Sequence, residues 1–501
     1  MVMSKRNVSK SQSMGELTSK ERNFYLAGML GQNIICTLVA TAISMFYTDV
    51  LLIDVVAVGL IMMFAQIWDA VNDPIMGVIV DHTNTKDGKC IPYLKVIPIP
   101  IFIMTVAIFF PVTNFPMTGR IIYAAVTYVV YTMVYTVGDI PLWTVCSLVT
   151  RDERKRTSLI SAARVVGNLS IIISLVFFDI KNVFGKINLG LFPDTGLPNY
   201  DGYFSQSQGY LISVFLIALV GTVLFMLVGP NVKERIRSNP DAKKNSVKDD
   251  LKTMFKNRPF VRIVLSGILG STRMVVTISG VYFCKWVLGN GNEGMWFAML
   301  GGAFLVGFLV SMGVSPAVSR KFGKKNVYIW TSYLSAVPYL ILLLLGYKSV
   351  ALIITLMVLG GFLSGFVMVL QTAMVADSID YMEYKTGKRN DALYFSGMTF
   401  IAKLTTGITV LVTNLLLGTV NYTEIVNKIS ADLASGALES LNFATAYPEV
   451  ANILFILITV VPAVGCILQA IPMHGYEFND KQYNEMMVEL NARRDAAQKD
   501  N

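Results

Sequence analysis

The stretch "WDAVNDPIMGVIVD", residues 68–81, sets two aspartates and an asparagine in an otherwise apolar run. Asp69 and Asp73 stand four residues apart, so on a helix they share one face, with Asn72 close beside them. Whether that helix lies in water or in lipid decides what the carboxylates are for.

Composition decides the medium. Of 501 residues, 54% are hydrophobic and only 15% charged, and the mean hydropathy is +0.56. A soluble chain of this size carries about 25% charged residues. Apolar runs recur at roughly 24–47, 55–80, 93–112, 120–146, 157–182, 209–230, 260–287, 294–318, 326–346, 350–380, 391–418 and 447–471. Each is near or above the ~20 residues that a bilayer requires, and the longer ones imply tilt or kinks. The expected fold class is an all-α polytopic membrane protein with twelve transmembrane helices.

Charge placement sets the orientation. Twelve spans return both termini to one side, which is expected to be the cytoplasm. The termini and the loops on that side, near 81–95, 151–156, 231–258, 320–325 and 385–389, hold 32 lysines and arginines. The opposite side holds only Arg120, Lys181, Lys186, Lys348 and Lys428. This is the asymmetry of the positive-inside rule. It accounts for the net charge of +9 without a nucleic-acid partner, because the basic residues are scattered over inner loops. Two histidines, His82 and His474, leave no basis for a histidine-built metal or catalytic cluster. Cys36, Cys90, Cys146, Cys284 and Cys466 have no metal-ligand spacing and imply no oxidised framework. The polar, basic residues before the first span precede an apolar run too long for the core of a cleavable signal.

The organisation reads as a cytoplasmic N-terminus (1–23), six spans (24–231), a basic linker (232–259), six spans (260–471) and a cytoplasmic tail (472–501). Short basic inner turns, "DHTNTKDGK" after span 2 and "SRKFGKK" after span 8, stand at matching places in the two halves. Such weak internal symmetry is expected of the parallel six-helix repeats of major-facilitator transporters. Two outer segments, 183–208 and 419–446, are long enough to lid a vestibule but are read as loose loops.

Six ionisable residues fall inside spans, away from their ends: Asp69, Asp73, Asp139, Arg164, Arg273 and Lys403. Each costs about 2.5–3.5 kcal/mol to insert, so such groups line polar cavities and serve function, or else pair to lock helices together. Arg262 and Lys285, near span ends, are expected to snorkel to the interface.

Three motifs then carry a resemblance: "WDAVNDPIMGVIVD" in span 2, "GDIPLW" (138–143) in span 4 and "MVADSIDYMEYKTGKR" (374–389) ending span 10. Together they resemble the signatures of the glycoside–pentoside–hexuronide:cation symporters, of the major facilitator superfamily, from about residue 23 to the last span. A monovalent cation stripped of water needs oxygen ligands, which carboxylates, an amide oxygen and a hydroxyl supply. The resemblance implies that Asp69 and Asp73 bind the coupling cation, assisted by Asn72 and by Thr136 on span 4. Two carboxylates with an amide and a hydroxyl favour Na+, with Li+ or H+ as substitutes. Pro74 removes one helix hydrogen bond and can bend span 2.

For the sugar, the resemblance points to Asp139, Trp143, Arg164, Thr399 and Lys403. A carboxylate and a guanidinium each bond vicinal hydroxyls, and Trp143 offers a flat face to a sugar ring. Alternatively, Asp139 and Arg164 salt-bridge each other and Trp143 only packs. Where the family has a Lys–Asp pair on span 1, this chain has Gln32–Asn33, so Asn33 takes the place of a sugar-binding carboxylate. The tryptophan expected on span 10 is Met368, and span 7 gains Arg273. Losing an acid and gaining an arginine suits a uronate or another acidic sugar, unless Arg273 pairs with a resident aspartate.

The expected function is cation-coupled symport of a sugar, glycoside or hexuronide by alternating access. Its partners are that small molecule, a monovalent cation and the bilayer, and the unit of function is a monomer without further cofactor. The inner loops 81–95, 151–156 and 385–389 are expected to form the inward gate. Its members are Asp152, Glu153, Asp377, Asp380 and Glu383, paired with neighbouring lysines and arginines. The alternative in the same architecture is a cation-coupled transporter of an amphiphilic lipid such as a lysophospholipid. No nucleophile–base pair, metal cluster or phosphate loop supports an enzyme.

Overall fold

The computed structural model describes residues 17–83, 85–150, 153–187, 189–191, 205–235, 255–288, 293–347, 349–386, 391–434, 447–477, 483, 485–490 and 492. Asp152 and residues 192–204, 236–254, 387–390 and 435–446 lie outside them. Helix dominates the described residues, and the chain forms two units.

The N-terminal unit comprises residues 1–242 and 421–441. Its helices are α1 (Ser19–Met45), α2 (Val55–His82), α3 (Ile91–Val96), α4 (Pro98–Ile108), α5 (Met117–Leu148), α6 (Glu153–Asn168), α7 (Ile171–Lys186), α8 (Gln206–Met226) and α9 (Val228–Asn231). A capping box starts α1: Glu21 N donates to Thr18 Oγ1 (3.2 Å) and Thr18 N to Glu21 Oε2 (3.0 Å). The backbones of α1 and α8 meet at Gly31 and Gly221, where an added Cβ on Gly221 would lie 2.8 Å from Gly31 O. Small residues at such a crossing replace the hydrophobic driving force that lipid removes. The core joins Tyr25 and Met29 of α1, Met76 and Val80 of α2, Leu142 and Val145 of α5, and Phe225 of α8.

The C-terminal unit comprises residues 243–420 and 442–501. It contains α10 (Arg258–Leu269), α11 (Val275–Phe283), α12 (Glu293–Phe322), α13 (Lys324–Leu345), α14 (Val350–Thr386) and α15 (Asp391–Gly418). Helix α16 (Tyr422–Ala434) follows in the chain but packs in the N-terminal unit, and α17 (Pro448–Ile458) and α18 (Val460–His474) complete the C-terminal one. Glycines again set the closest approach. A methyl group at Gly307 would collide with Val358 O, and one at Gly361 with Phe304 O, so α12 and α14 touch backbone to backbone.

Ten described helices, some formed by two consecutive segments, are long and apolar enough to cross a membrane; the bent pair α10–α11 makes eleven. The expected span at 93–112 takes the form of α3 and α4, which meet at Ile97. Pro98 has no N–H to continue the ladder, yet Ile97 keeps helical backbone, and Ile97 N bonds Tyr93 O (2.9 Å) while Ile101 N bonds Ile97 O (3.0 Å) across the join.

Two expectations change. Residues 422–434 form a helix rather than a loose loop: Tyr422 and Val426 are buried, and Tyr422 OH donates to Asp49 Oδ1 (3.2 Å) at the end of the first span. Lys285 is only 6% exposed and lies over the Trp286 ring (4.7 Å), so protein covers it and it does not snorkel.

Candidate cation and substrate site

The apolar faces of α2 and α5 pack these helices side by side and bring the opening motif against "GDIPLW". Asp69 is 7% and Thr136 1% exposed, while Asp73 and Asn72 are half-buried. Thr136 Oγ1 stands 2.7 Å from Asp69 Oδ1 and 3.2 Å from Asp73 Oδ1. One hydroxyl thus sits between two carboxylates, with a single proton to give. Asn72 is on the same turn and makes no hydrogen bond to either carboxylate among the described residues. Helix α2 continues through position 74 as far as His82. All the donors in this cluster are oxygen, the ligand type that hard cations take.

On the neighbouring face of α5, Asp139 is bonded to α1. Gln32 Nε2 donates to Asp139 Oδ1 (2.7 Å) and also to Tyr135 OH. Asn33 Nδ2 donates to Gln32 Oε1 (3.0 Å) and to Met29 O (2.8 Å). Asn33 therefore ties the network to the α1 backbone. Tyr128, Tyr131 and Tyr135 form a ladder along α5, with ring centroids 6.4 and 5.8 Å apart. Arg164, on α6, lays its guanidinium over the Trp143 ring at 5.4 Å. That cation–π contact replaces the alternative ion pair: Arg164 bonds no carboxylate among the described residues.

In the C-terminal unit, α10 stops at Leu269, and the tight 3-10 turn Ser271–Met274 leads into α11 at a 45° bend. Arg273 sits in that turn. Its Nε is buried without a hydrogen-bond partner, and no described carboxylate pairs with it. Gly465 of α18 lets the chain approach: a Cβ there would collide with Arg273 N. The Ser271 carbonyl at the break is taken by Thr409 Oγ1 (2.9 Å). Thr399 and Lys403 follow one another at helical spacing on α15, with Lys403 half-buried; the Thr399 side chain lies outside the described residues.

Two of the expected gate residues, Asp377 and Asp380, find partners within their own unit. Lys324 Nζ bonds both Asp377 oxygens (2.7 and 2.8 Å), and Tyr483 OH donates to Asp380 Oδ2 (2.8 Å). Lys324 also lies 4.9 Å over the Tyr483 ring. Burial pushes the Tyr483 hydroxyl well up, and the Asp377 and Asp380 carboxylates beside it push the same way. Glu383 is half-buried, and the side chain of Glu153 is outside the described residues.

Sequence reasoning missed a clip at the head of the linker. Glu234 accepts backbone N–H groups from Lys89 (3.0 Å), Cys90 (2.6 Å) and Ile91 (3.0 Å). Arg235 bonds both Glu21 oxygens (3.0 and 2.8 Å), and its N–H bonds Leu148 O (2.8 Å). The only sequence signal was an adjacent acid and base at the start of an otherwise basic run.

These features define a multi-pass helical membrane protein with polar groups buried among its helices. Solved structures agree in fold. A mutant of the nucleoside transporter NupG matches with TM-score 0.60 at 10% identity, covering 91% of this chain and 100% of that one. A D-xylose-proton symporter matches with TM-score 0.54 at 12% identity, covering 91% and 97%. The profile of the family described as MFS/sugar transport protein matches residues 24–480, and the chain belongs to that family, as a member of the glycoside–pentoside–hexuronide symporter type. Among its relatives, the isoprimeverose transporter of Lactiplantibacillus pentosus is 30% identical over 477 residues, 94% of this chain and 91% of that one. The glucuronide carrier protein homolog of Escherichia coli is 25% identical, over 95% and 96%. A putative glycoside/cation symporter of Escherichia coli, YagG, is 27% identical over the same shares. The family is one of transporters rather than enzymes, and the protein is a multi-pass protein of the cell membrane.

Proposed function

We propose that the protein is a Na+-coupled symporter of a sugar or glycoside. The cation is held by Asp69 and Asp73 with Thr136 and Asn72, and the substrate by Asp139, Trp143, Arg164, Asn33, Thr399 and Lys403. The observation that carries this reading is the Thr136 hydroxyl set within hydrogen-bond reach of both carboxylates. Two like charges sharing one hydroxyl are relieved by a cation that all three oxygens coordinate. Relatives named as isoprimeverose transporter and glycoside/cation symporter support the sugar class.

In this reading twelve spans form two six-helix halves, 24–231 and 260–471, joined by the 232–259 linker. Both termini are cytoplasmic, and a monomer suffices. The halves rock to open the site alternately to each side. Asp152, Glu153, Asp377, Asp380 and Glu383 take part in inner closure. Cation and sugar each stabilise binding of the other, which makes the gradient of one drive the other.

The test is uptake into vesicles under a Na+ gradient. Asp69→Cys and Asp73→Cys should each abolish accumulation while retaining sugar exchange. Accumulation that survives both substitutions contradicts the cation site. A Na+ gradient that drives no uptake in the wild type, where a proton gradient does, transfers the coupling to H+.

Arg273 extends the reading to an acidic sugar. The buried Nε without a partner favours this over pairing with a resident aspartate, and a relative named as a glucuronide carrier homolog is consistent with it.

A further inference from the structure

We propose that Gln32 is the positioning residue of the substrate site, a neutral donor on α1 that fixes the Asp139 carboxylate on α5. The proposal rests on the reading that Asp139 binds the sugar.

Gln32 is 1% exposed and every polar atom of its amide is engaged. The two N–H bonds go to Asp139 Oδ1 (2.7 Å) and to Tyr135 OH. The carbonyl accepts from Asn33 Nδ2 (3.0 Å), itself anchored on Met29 O (2.8 Å). This pattern fixes which way the amide points. Turned over, its oxygen would face a carboxylate and its nitrogen another amide nitrogen, losing the bond to the acid and that from Asn33. Asn33 is thereby the residue that holds the glutamine in register.

Tyr135 and Asp139 are one turn apart on α5, so a single amide spans that turn. Thr136, between them in sequence, faces α2 and the cation carboxylates. The glutamine thus locks the rotamer of Asp139 on the helix that also carries the cation hydroxyl. An amide orients the carboxylate without neutralising it, which a lysine or arginine would do.

A glutamate at position 32 makes the role measurable. Ionised, it sets a second carboxylate against Asp139; protonated, it restores one O–H donor to it. Isoprimeverose and p-nitrophenyl β-glucuronide serve as probes, titrated calorimetrically into the full-length protein in nanodiscs with Na+ present. Gln32→Ala should weaken the bound probe roughly ten- to a hundred-fold, the effect of losing a hydrogen bond to a charged group. For Gln32→Glu the loss relative to wild type should be large at pH 8 and shrink by at least about tenfold at pH 5. A residue that only fills space gives the same loss at both pH values. Wild-type affinity in Gln32→Ala, or a loss in Gln32→Glu that does not change with pH, overturns the proposal. If the alanine variant does not fold, the glutamate series decides alone. Binding of neither probe by the wild type overturns the sugar reading itself, and the proposal falls with it.

Discussion

Each unit pairs one buried acid with a base, Glu21 with Arg235 and Asp377 with Lys324, and the two differ at the candidate site. In the N-terminal unit, neutral donors reach the acids of the site: Thr136 serves Asp69 and Asp73, and Gln32 serves Asp139. In the C-terminal unit, a base sits at a helix break with one nitrogen buried and unbonded. A guanidinium beside an interrupted helix keeps donors for a ligand. The comparison suggests a division of labour: cation and hydroxyl recognition in the first unit, recognition of an acidic group in the second.

The largest effect that sharpens this contrast is at Arg273. Arg273→Gln keeps polarity and removes charge. Affinity for a hexuronide should fall roughly ten- to a hundred-fold, since a hydrogen bond to a charged group contributes about 1.5–3 kcal/mol. The matching neutral glycoside should bind as before or better, because an unpaired buried charge has gone. Calorimetry with the two ligands checks this; equal losses would make Arg273 structural and end the division.

A smaller effect is expected at Thr136. Thr136→Val preserves shape and deletes the hydroxyl between the carboxylates. Na+ affinity should drop about tenfold, near 1.4 kcal/mol, measured by Na+ titration of intrinsic fluorescence. An unchanged affinity would remove Thr136 from the cation site.

The smallest is near the C-terminal end of α14. Tyr483→Phe deletes the hydrogen bond to Asp380 and should lower stability by about 1 kcal/mol, read from thermal unfolding in detergent. Because its hydroxyl is pushed up from the ordinary tyrosine range, the wild-type contact is present below about pH 10 and persists above it. It is lost only as the pH rises through the raised value. A wild-type protein losing the difference from Tyr483→Phe already at pH 9 would contradict that direction.

Much of this was legible in the sequence because its cause is local. Asp69 and Asp73 share a face by helical period alone, and the apolar runs announce spans by length. The join at Ile97 was carried by Pro98 and Pro100, within a run that reads as one span. What could not be read depends on which turns meet. Gln32 and Asp139 are 107 residues apart, and no periodicity brings them together. Gln32 looked like a missing charge rather than a donor. The burial of Lys285 and the docking of Tyr422 on Asp49 likewise depend on cover supplied by distant helices. Arg235 looked like one more basic linker residue until Glu21 closed on it.

The central claim is that the Asp69–Asp73–Thr136 cluster and the Asp139 site are two linked sites. Calorimetric titration tests it most directly: sugar into protein with and without Na+, and Na+ into protein with and without sugar. The account predicts that each ligand tightens the other, and by the same factor, as linkage requires. Sugar affinity that is indifferent to Na+ would contradict it.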